Sequence, residues 1–331
     1  MHASAASAGS SVQKRFQKEA TGTMAQDVLL GLTADQKYLP SKYFYDARGS
    51  KLFEVICTLP EYYPTRTELR LLTTYAKDIV RGFRQVDLVE LGAGANWKIR
   101  ILLDALGPWR RAHVRYVPVD VCGPALLESA AQLRSVYPEV KVNGIVADFT
   151  RDLRRMRSDR PKLVLFLGST IGNLDEREAS CFLKDVAMML NPGDRFLLGM
   201  DMVKPVEILE AAYNDSRDVT AEFNKNILLV INRELGATFN PACFDHVAFF
   251  NEKQERVEMH LRARRDIRVD VKALGISVVL SRGETIRTEI CRKFRRHDAE
   301  KTMRDAGMKV SRWYSDPKDW FSLLEAVPCQ R

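Results

Sequence analysis

The residues best arranged to hold a ligand lie between Val86 and Asp120 of this 331-residue chain. The apolar run Val86 to Leu91 leads into Gly92-Ala93-Gly94-Ala95-Asn96. A helical stretch follows from Lys98 to Leu106, and a second apolar run, Val114 to Val119, ends on Asp120. Strand, glycine turn, helix and a strand tipped with a carboxylate make half of a nucleotide-binding unit. The glycines let the backbone pass close to a ligand that a side chain would keep away. The third glycine of the dinucleotide pattern is missing, because Trp97 stands in its place. A bulky indole there argues against a pyrophosphate. Adenosine without a diphosphate fits better, and S-adenosylmethionine is the obvious such ligand. Asp120, as an ionised carboxylate, would accept hydrogen bonds from two ribose hydroxyls. Taken alone, a Gly-x-Gly after a strand is also what a plain tight turn uses.

Several further carboxylates fall at strand ends. A helix is expected from Pro124 to Tyr137 and a strand from Val142 to Ala147, ending in Asp148-Phe149. An acid beside an aromatic suits an adenine, one for the exocyclic amine and the other as an apolar wall. Leu163 to Leu167 reads as a strand covered on both faces, and it ends in Gly168-Ser169-Thr170-Ile171-Gly172-Asn173. A helix from Asp175 to Leu190, the turn Asn191-Pro192-Gly193-Asp194 and a strand from Arg195 to Met200 complete the series, which ends on Asp201. Strands alternating with helices over short links require a parallel sheet with right-handed crossovers. Ligands bind at the carboxyl ends of such strands. Gly92, Asp120, Asp148, Ser169 to Asn173 and Asp201 converge there, which is stronger evidence for a cofactor site than any single motif.

The rhythm changes after Asp201. Helices are expected at Val206 to Tyr213 and Val219 to Leu235. Strands are expected at Phe244 to Asn251, Arg256 to Ala263, Val269 to Val271, Leu274 to Leu280 and Glu284 to Phe294. In the last of these, Arg287, Glu289 and Cys291 share one face. Met259 reads as a core residue and His260, on the opposite face of its strand, as a surface one. The helix Asp298 to Ala306 and strands Met308 to Tyr314 and Trp320 to Val327 close the sheet. Upstream, Ala20 to Leu30 and Lys51 to Cys57 read as short helices, Gly49-Ser50 as a turn, and Thr67 as the cap of a helix from Glu68 to Gly82. The stretch Gly31 to Thr67 is rich in aromatic residues broken by Pro40, Pro60 and Pro64. It reads either as an aromatic-lined surface or pocket or as a packed N-terminal cap, lying against residues 202–293, which read as an insertion before the last part of the core.

Apolar residues make up 46% and charged residues 28% of the chain, as in soluble globular proteins. No apolar run approaches the ~20 residues of a membrane span. The first 18 residues have no acid and no continuous apolar stretch, and read as a disordered tail or an organelle transit segment. The net charge of +8 comes with scattered arginines. The clusters Arg262-Arg264-Arg265-Arg268 and Arg292-Lys293-Arg295-Arg296 carry no nucleic-acid motif and read as solvated faces. The six cysteines form no CxxC pair and no His lies at metal-ligand spacing, so reduced thiols in the cytoplasm and no metal are expected.

The chain resembles the histidine-specific, S-adenosylmethionine-dependent methyltransferases of ergothioneine biosynthesis. The likeness spans about Lys37 to Leu324. It rests on YFYDARGSKLFEVICTLPEYYPTRTE at 43–68, LVELGAG at 88–94, YVPVDV at 116–121, FLGSTIGNL at 166–174, LNPGD at 190–194, and MHLRAR and IRTEI further on. The resemblance implies an α/β fold: a Rossmann-like class I methyltransferase core with a mostly parallel sheet, plus an α+β substrate-binding domain. The corresponding division is a tail at 1–19, substrate-binding segments at 20–67 and 202–293, and a core at 68–201 and 294–331. It also implies that Gly92, Gly94, Lys98, Asp120, Asp148 and Phe149 hold S-adenosylmethionine. Asn173 and Tyr213 would hold the substrate's backbone end, and Tyr63 is matched to an active-site tyrosine. Met259 and Glu289 would line the side-chain pocket with Glu289 facing the imidazole, and Tyr45 would add a further contact. Cys291 stands where the family often has a serine that hydrogen-bonds the imidazole, and a thiol is a weaker donor and acceptor.

The implied reaction is N-alpha-methylation of L-histidine, up to the trimethylated betaine, by a monomer that uses no metal and binds neither nucleic acid nor membrane. Methyl transfer from a sulfonium needs no protein nucleophile, but it does need an uncharged amine aligned with the methyl carbon. Tyr63 would orient that amine first and relay its proton second. Other readings are an N-methyltransferase acting on tryptophan, a tryptophan derivative or another amino acid, and a non-catalytic S-adenosylmethionine-binding protein.

Overall fold

A computed structural model of the chain describes residues 24–94, 96–149, 153, 158 and 160–329. The expected tail over 1–19, and residues 20–23 of the first expected helix, lie outside that range. Contact density divides the chain into two compact units. One takes residues up to Phe44 with Ala221–Ala248 and Met259–Glu289. The other takes Tyr45–Thr220, Phe249–Glu258 and Ile290–Arg331.

The second unit is built on a central sheet. Strands β1 (Val86–Leu91), β2 (Val114–Asp120), β3 (Lys141–Val142), β4 (Ile145–Val146), β5 (Lys162–Phe166) and β6 (Arg195–Asp201) come in chain order, and β12 (Met308–Ser315) and β13 (Phe321–Pro328) end the chain. The order across the sheet is β12-β13-β6-β5-β1-β2-β3, with β4 also pairing β2. β1, β2, β5 and β6 run parallel, and β13 enters antiparallel beside β6. The order reverses between β1 and β5, which opens a crevice at the carboxyl ends of these strands. The expected single strand from Val142 to Ala147 is in fact two short pieces. β3 pairs with Arg115-Tyr116 and β4 with Val119-Asp120. Pro118 faces the gap between them. Having no N–H, it could not have donated to a continuous neighbour.

Helices α2 (Ala47–Ile56), α3 (Tyr63–Ile79), α4 (Trp97–Arg111), α5 (Gly123–Val136), α6 (Glu176–Met189), α7 (Val206–Ala211) and α9 (Arg296–Asp305) belong to this unit. Alternation along β1 sends Val86 and Leu88 into one core with Leu71, Leu72, Ile79, Leu102 and Leu103. Val89 and Leu91 enter the other, with Phe182, Val186 and Met303. α6 starts from a capping box between Asp175 and Glu178. α3 starts four residues before the expected cap. Pro64 supplies the first turn, where its missing N–H costs nothing, and Thr67 lies inside with its hydroxyl donating to Tyr63 O at 3.0 Å. Gly49-Ser50 is helical rather than a turn, because Asp46 caps α2 by accepting from Gly49 N at 2.8 Å. α4 runs past Leu106 but breaks at Gly107, whose φ of 72° precedes Pro108.

In the first unit a helix, α1, covers 24–33. Most of α8 (Val219–Leu235), β9 (Ile267–Val271) and its antiparallel partner β10 (Ile276–Leu280) also lie there. β7 (Phe244–Asn251), β8 (Arg256–Ala263) and β11 (Thr285–Arg292) form a three-stranded sheet with β8 in the middle. Asn224 of α8 is fully buried. It donates to His260 O at 3.1 Å and accepts from Thr288 Oγ1 at 2.6 Å. His260 is therefore buried, not at the surface: its strand is central, and its ring lies 3.1 Å from Thr285 Oγ1. The aromatic N-terminal segment contributes Phe44, whose ring packs 4.6 Å from that of Phe223.

Candidate active site

The glycine turn after β1 has the geometry its sequence requires. Gly92 has a φ of 73°, a left-handed conformation open to glycine, and its N–H donates to Val119 O at 2.9 Å. A Cβ on Gly92 would meet the Phe149 ring at 3.5 Å, while one on Gly94 would meet nothing within 4 Å. Space for a ligand therefore lies over Gly94, beside an aromatic wall. Phe149 is held edge-on by Phe166 at 5.3 Å and Phe182 at 6.2 Å. Asp120 accepts from Cys122 N at 2.8 Å, and burial pushes its carboxyl up to about 6. Asn96 is tied to α5 through Ser129, donating to its carbonyl at 2.7 Å and accepting from its hydroxyl at 2.6 Å. Trp97 is left 39% exposed, so the indole that displaces the third glycine does not plug the turn.

Glu68 joins three parts of this edge. It is fully buried, accepts from Gly168 N at 2.7 Å and pairs with Lys98 Nζ at 2.7 Å. Gly168 has a φ of 78°, and a Cβ there would come within 3.1 Å of Lys98 Nζ. The short 3-10 turn Thr170–Asn173 that follows carries Asn173. It packs so closely on the end of β11 that a Cβ on Gly172 would stand 2.8 Å from Arg292 O and 3.2 Å from Cys291 Sγ.

A buried charge cluster sits at the end of β6. Tyr63 Oη lies 2.8 and 2.7 Å from the two oxygens of Asp201. Lys204 Nζ donates to Tyr63 Oη at 2.8 Å, to Met202 O at 2.6 Å and to Asp201 Oδ1. Lys293 Nζ reaches Asp201 Oδ2 at 2.7 Å, Tyr213 Oη at 3.0 Å and Cys291 Sγ at 3.2 Å. Backbone pairing brings these groups together: Phe294 N donates to Asp201 O at 2.9 Å and Val203 N to Phe294 O at 3.0 Å. Burial disfavours the Asp201 carboxylate, but Lys293 and Lys204 outweigh it and hold the group below the usual carboxylate range. Burial likewise opposes the Lys293 ammonium, yet Asp201 raises it well above the ordinary lysine value. For Lys204 burial wins and brings the amine down to about 8. Tyr63, buried beside Asp201, is raised well above the ordinary phenol value and stays protonated. Trp320 packs edge-on to Tyr63 at 5.4 Å, and Tyr62 to Tyr213 at 6.3 Å.

The sequence profile described as histidine-specific, S-adenosylmethionine-dependent methyltransferase matches residues 24–328. The chain belongs to this family. It is 43% identical over 310 residues to the histidine N-alpha-methyltransferase of Mycolicibacterium smegmatis, covering 93% of this chain and 96% of that protein. Identity to the histidine N-alpha-methyltransferase of Mycobacterium tuberculosis is 42% over 304 residues, with 92% and 94% covered. Ergothioneine biosynthesis protein 1 of Schizosaccharomyces pombe is 32% identical over 243 residues, which cover 70% of this chain and 31% of that one.

As a member of the family, the chain is an S-adenosylmethionine-dependent methyltransferase with a small amino-acid substrate. The crevice fits the cofactor on its own evidence, with open space at Gly94, a half-buried acceptor at Asp120, the Phe149 wall and the Lys98 ammonium. Among the described residues no group of His, Cys, Asp and Glu could hold a metal, and no helix is long and apolar enough to cross a membrane. The sheet unit holds Tyr45, Tyr63, Asn173, Tyr213 and Cys291 together with the cofactor-side residues, while Met259 and Glu289 belong to the other unit. Tyr45 packs edge-on to Phe53 at 5.6 Å, and Met259 is 1% exposed. The sequence reading missed Glu68, Lys204 and Lys293, and it placed Asp201 only among the strand ends at the cofactor edge. Lys293 was expected on a solvated basic face, but its side chain is fully buried, because β11 runs on into pairing with the end of β6. The signal was available: Glu289, Cys291 and Lys293 continue one alternation.

Proposed function

We propose that the enzyme methylates the α-amine of L-histidine, in successive rounds up to the trimethylated betaine, as a cytoplasmic monomer. Family membership over nearly the whole chain carries this reading, since the two mycobacterial relatives are named for that reaction. S-adenosylmethionine, when bound, supplies an electrophilic methyl on a sulfonium. Gly92, Gly94, Lys98, Asp120, Asp148 and Phe149 are its proposed holders. The chain's own task is to align an uncharged amine and exclude competing geometries. Asn173 and Tyr213 hold the backbone end of the amino acid, Tyr63 orients the amine, and Glu289 accepts from the imidazole N–H, with Met259, Cys291 and Tyr45 completing the contacts. The substrate-binding segments are 20–67 and 202–293. A carboxylate that a bound side chain covers without offering it an N–H is costly, so Glu289 selects against apolar side chains of similar shape. Aromatic faces tolerate a growing quaternary ammonium, which supports repeated methylation in one site.

The test is direct. Purified enzyme is incubated with S-adenosylmethionine and the twenty amino acids, and mass gains of one, two or three methyls are read. Gain confined to histidine is expected, whereas gain on tryptophan alone, or none on any amino acid, overturns the reading.

A further inference from the structure

Tyr63 has a fixed hydrogen-bond polarity. Its one proton lies between the two oxygens of Asp201, and one of its lone pairs is taken by Lys204 Nζ at 2.8 Å. What remains is an acceptor lone pair, so the hydroxyl can meet a substrate N–H only by accepting from it. The base of the cluster is not neutral either. The ammonium groups of Lys204 and Lys293 face the single carboxylate of Asp201, and each lysine has three acceptors around its nitrogen, as an ammonium requires. Two positive groups against one negative leave one positive unit in a buried setting. Tyr213 past α7 and Cys291 on β11 touch Lys293, and Tyr62 at the start of α3 packs on Tyr213. Glu289, two residues before Cys291 on β11, is the carboxylate that shares this strand, and its proposed partner is the imidazole N–H rather than the lysines.

We propose that Asp201, Lys204 and Lys293 are positioning residues that hold Tyr63 as an acceptor over a net-positive base, so that the site takes up the amino acid with its α-amine unprotonated. This rests on the proposed histidine reaction and specifies how that reaction obtains its nucleophile. A nearby like charge disfavours a protonated amine, and the amine of a free amino acid is largely protonated at pH 7. Binding therefore expels one N–H proton to the buffer and leaves the lone pair on nitrogen. The same bias returns each methylated ammonium that still carries an N–H to its neutral form. The high value of Tyr63 fits a hydroxyl that keeps its proton and does not act as the base.

The experiment counts protons and needs no turnover. L-histidine is titrated calorimetrically into enzyme loaded with S-adenosylhomocysteine, at pH 7, in buffers of different ionisation enthalpy. Wild type is expected to release about one proton per histidine bound. Lys204→Met, which removes the excess charge, is expected to release less than about half of that, and Lys204→Arg to restore the release. Lys204→Gln replaces the methionine variant should the latter not fold, with unchanged S-adenosylhomocysteine affinity as the check on folding. Equal release from wild type and the neutral variants, or no release from wild type, overturns the proposal. So does loss of histidine binding in Lys204→Arg as well as Lys204→Met, which would mark the lysine as scaffold. No heat of histidine binding to wild type at all would instead sink the histidine reading itself.

Discussion

The carboxylate of Glu68 occupies the space that a side chain at Gly199 would fill: a Cβ there would stand 2.2 Å from Glu68 Oε1. Glu68 cannot swing aside, because its oxygens are held by Gly168 N and Lys98 Nζ and its side chain is fully buried. The Phe321 ring, 3.3 Å away, closes the other direction. Gly199→Ala is expected to cost about 1–3 kcal/mol of stability, as overpacked cores do. It should also weaken S-adenosylmethionine binding, since Lys98 and the Gly168 turn move with Glu68. Thermal unfolding and a calorimetric titration of the cofactor check both parts. Lost stability with unchanged cofactor affinity would separate Glu68 from the site.

Cofactor affinity should fall with acid. The Asp120 carboxyl titrates at about 6 because it is buried, and its proposed partners are ribose hydroxyls that donate to the ionised form. Below that value the acceptor is lost. Affinity for S-adenosylmethionine is expected to drop about tenfold between pH 7 and pH 5, and Asp120→Asn should flatten that dependence while lowering affinity at pH 7. Fluorescence titrations across the range provide the check.

Glu90 makes the cofactor-free fold more stable in acid. Burial pushes its carboxyl from 4.5 up to about 7, against the stabilising bond from Tyr116 Oη. The folded state therefore binds the extra proton between those two values. This group's contribution is complete below the lower value and is lost as pH rises through the upper one, a difference of about 3 kcal/mol. Glu90→Gln keeps an acceptor for Tyr116 without the charge. Its unfolding midpoint is expected to match wild type at pH 4 and exceed it by several degrees at pH 8.

Glu289→Ala should raise KM for histidine by about 10- to 100-fold, the range for a lost hydrogen bond to a charged group. The KM for S-adenosylmethionine should stay unmoved. Steady-state kinetics with each substrate varied in turn decides it, and equal effects on both would remove Glu289 from the imidazole pocket.

Most of the sheet could be read along the chain. Val86–Leu91 and Lys162–Phe166 are apolar runs that both cores require, and the strand-end positions of Gly92, Asp120 and Asp201 followed from the alternation of elements. Local signals failed where two of them competed. Thr67 has the chemistry of a helix cap, but Pro64 starts the helix earlier. The Tyr63 cluster was hidden for another reason. Asp201, Lys204 and Lys293 meet only because the residues after β11 pair with those after β6, a contact some ninety positions apart in the chain. Beside Arg292 and Arg295, Lys293 has the composition of a solvated run, and composition is blind to such pairing.

Pro118 has a consequence beyond its own strand. It splits the neighbouring margin of the sheet into two stubs, β3 and β4, each two residues long. At the opposite margin, β12 slips register between Val310 and Arg312. Neither border offers a foreign chain a long, even row of amides to latch onto, which guards this molecule against growing into fibres by strand-to-strand stacking.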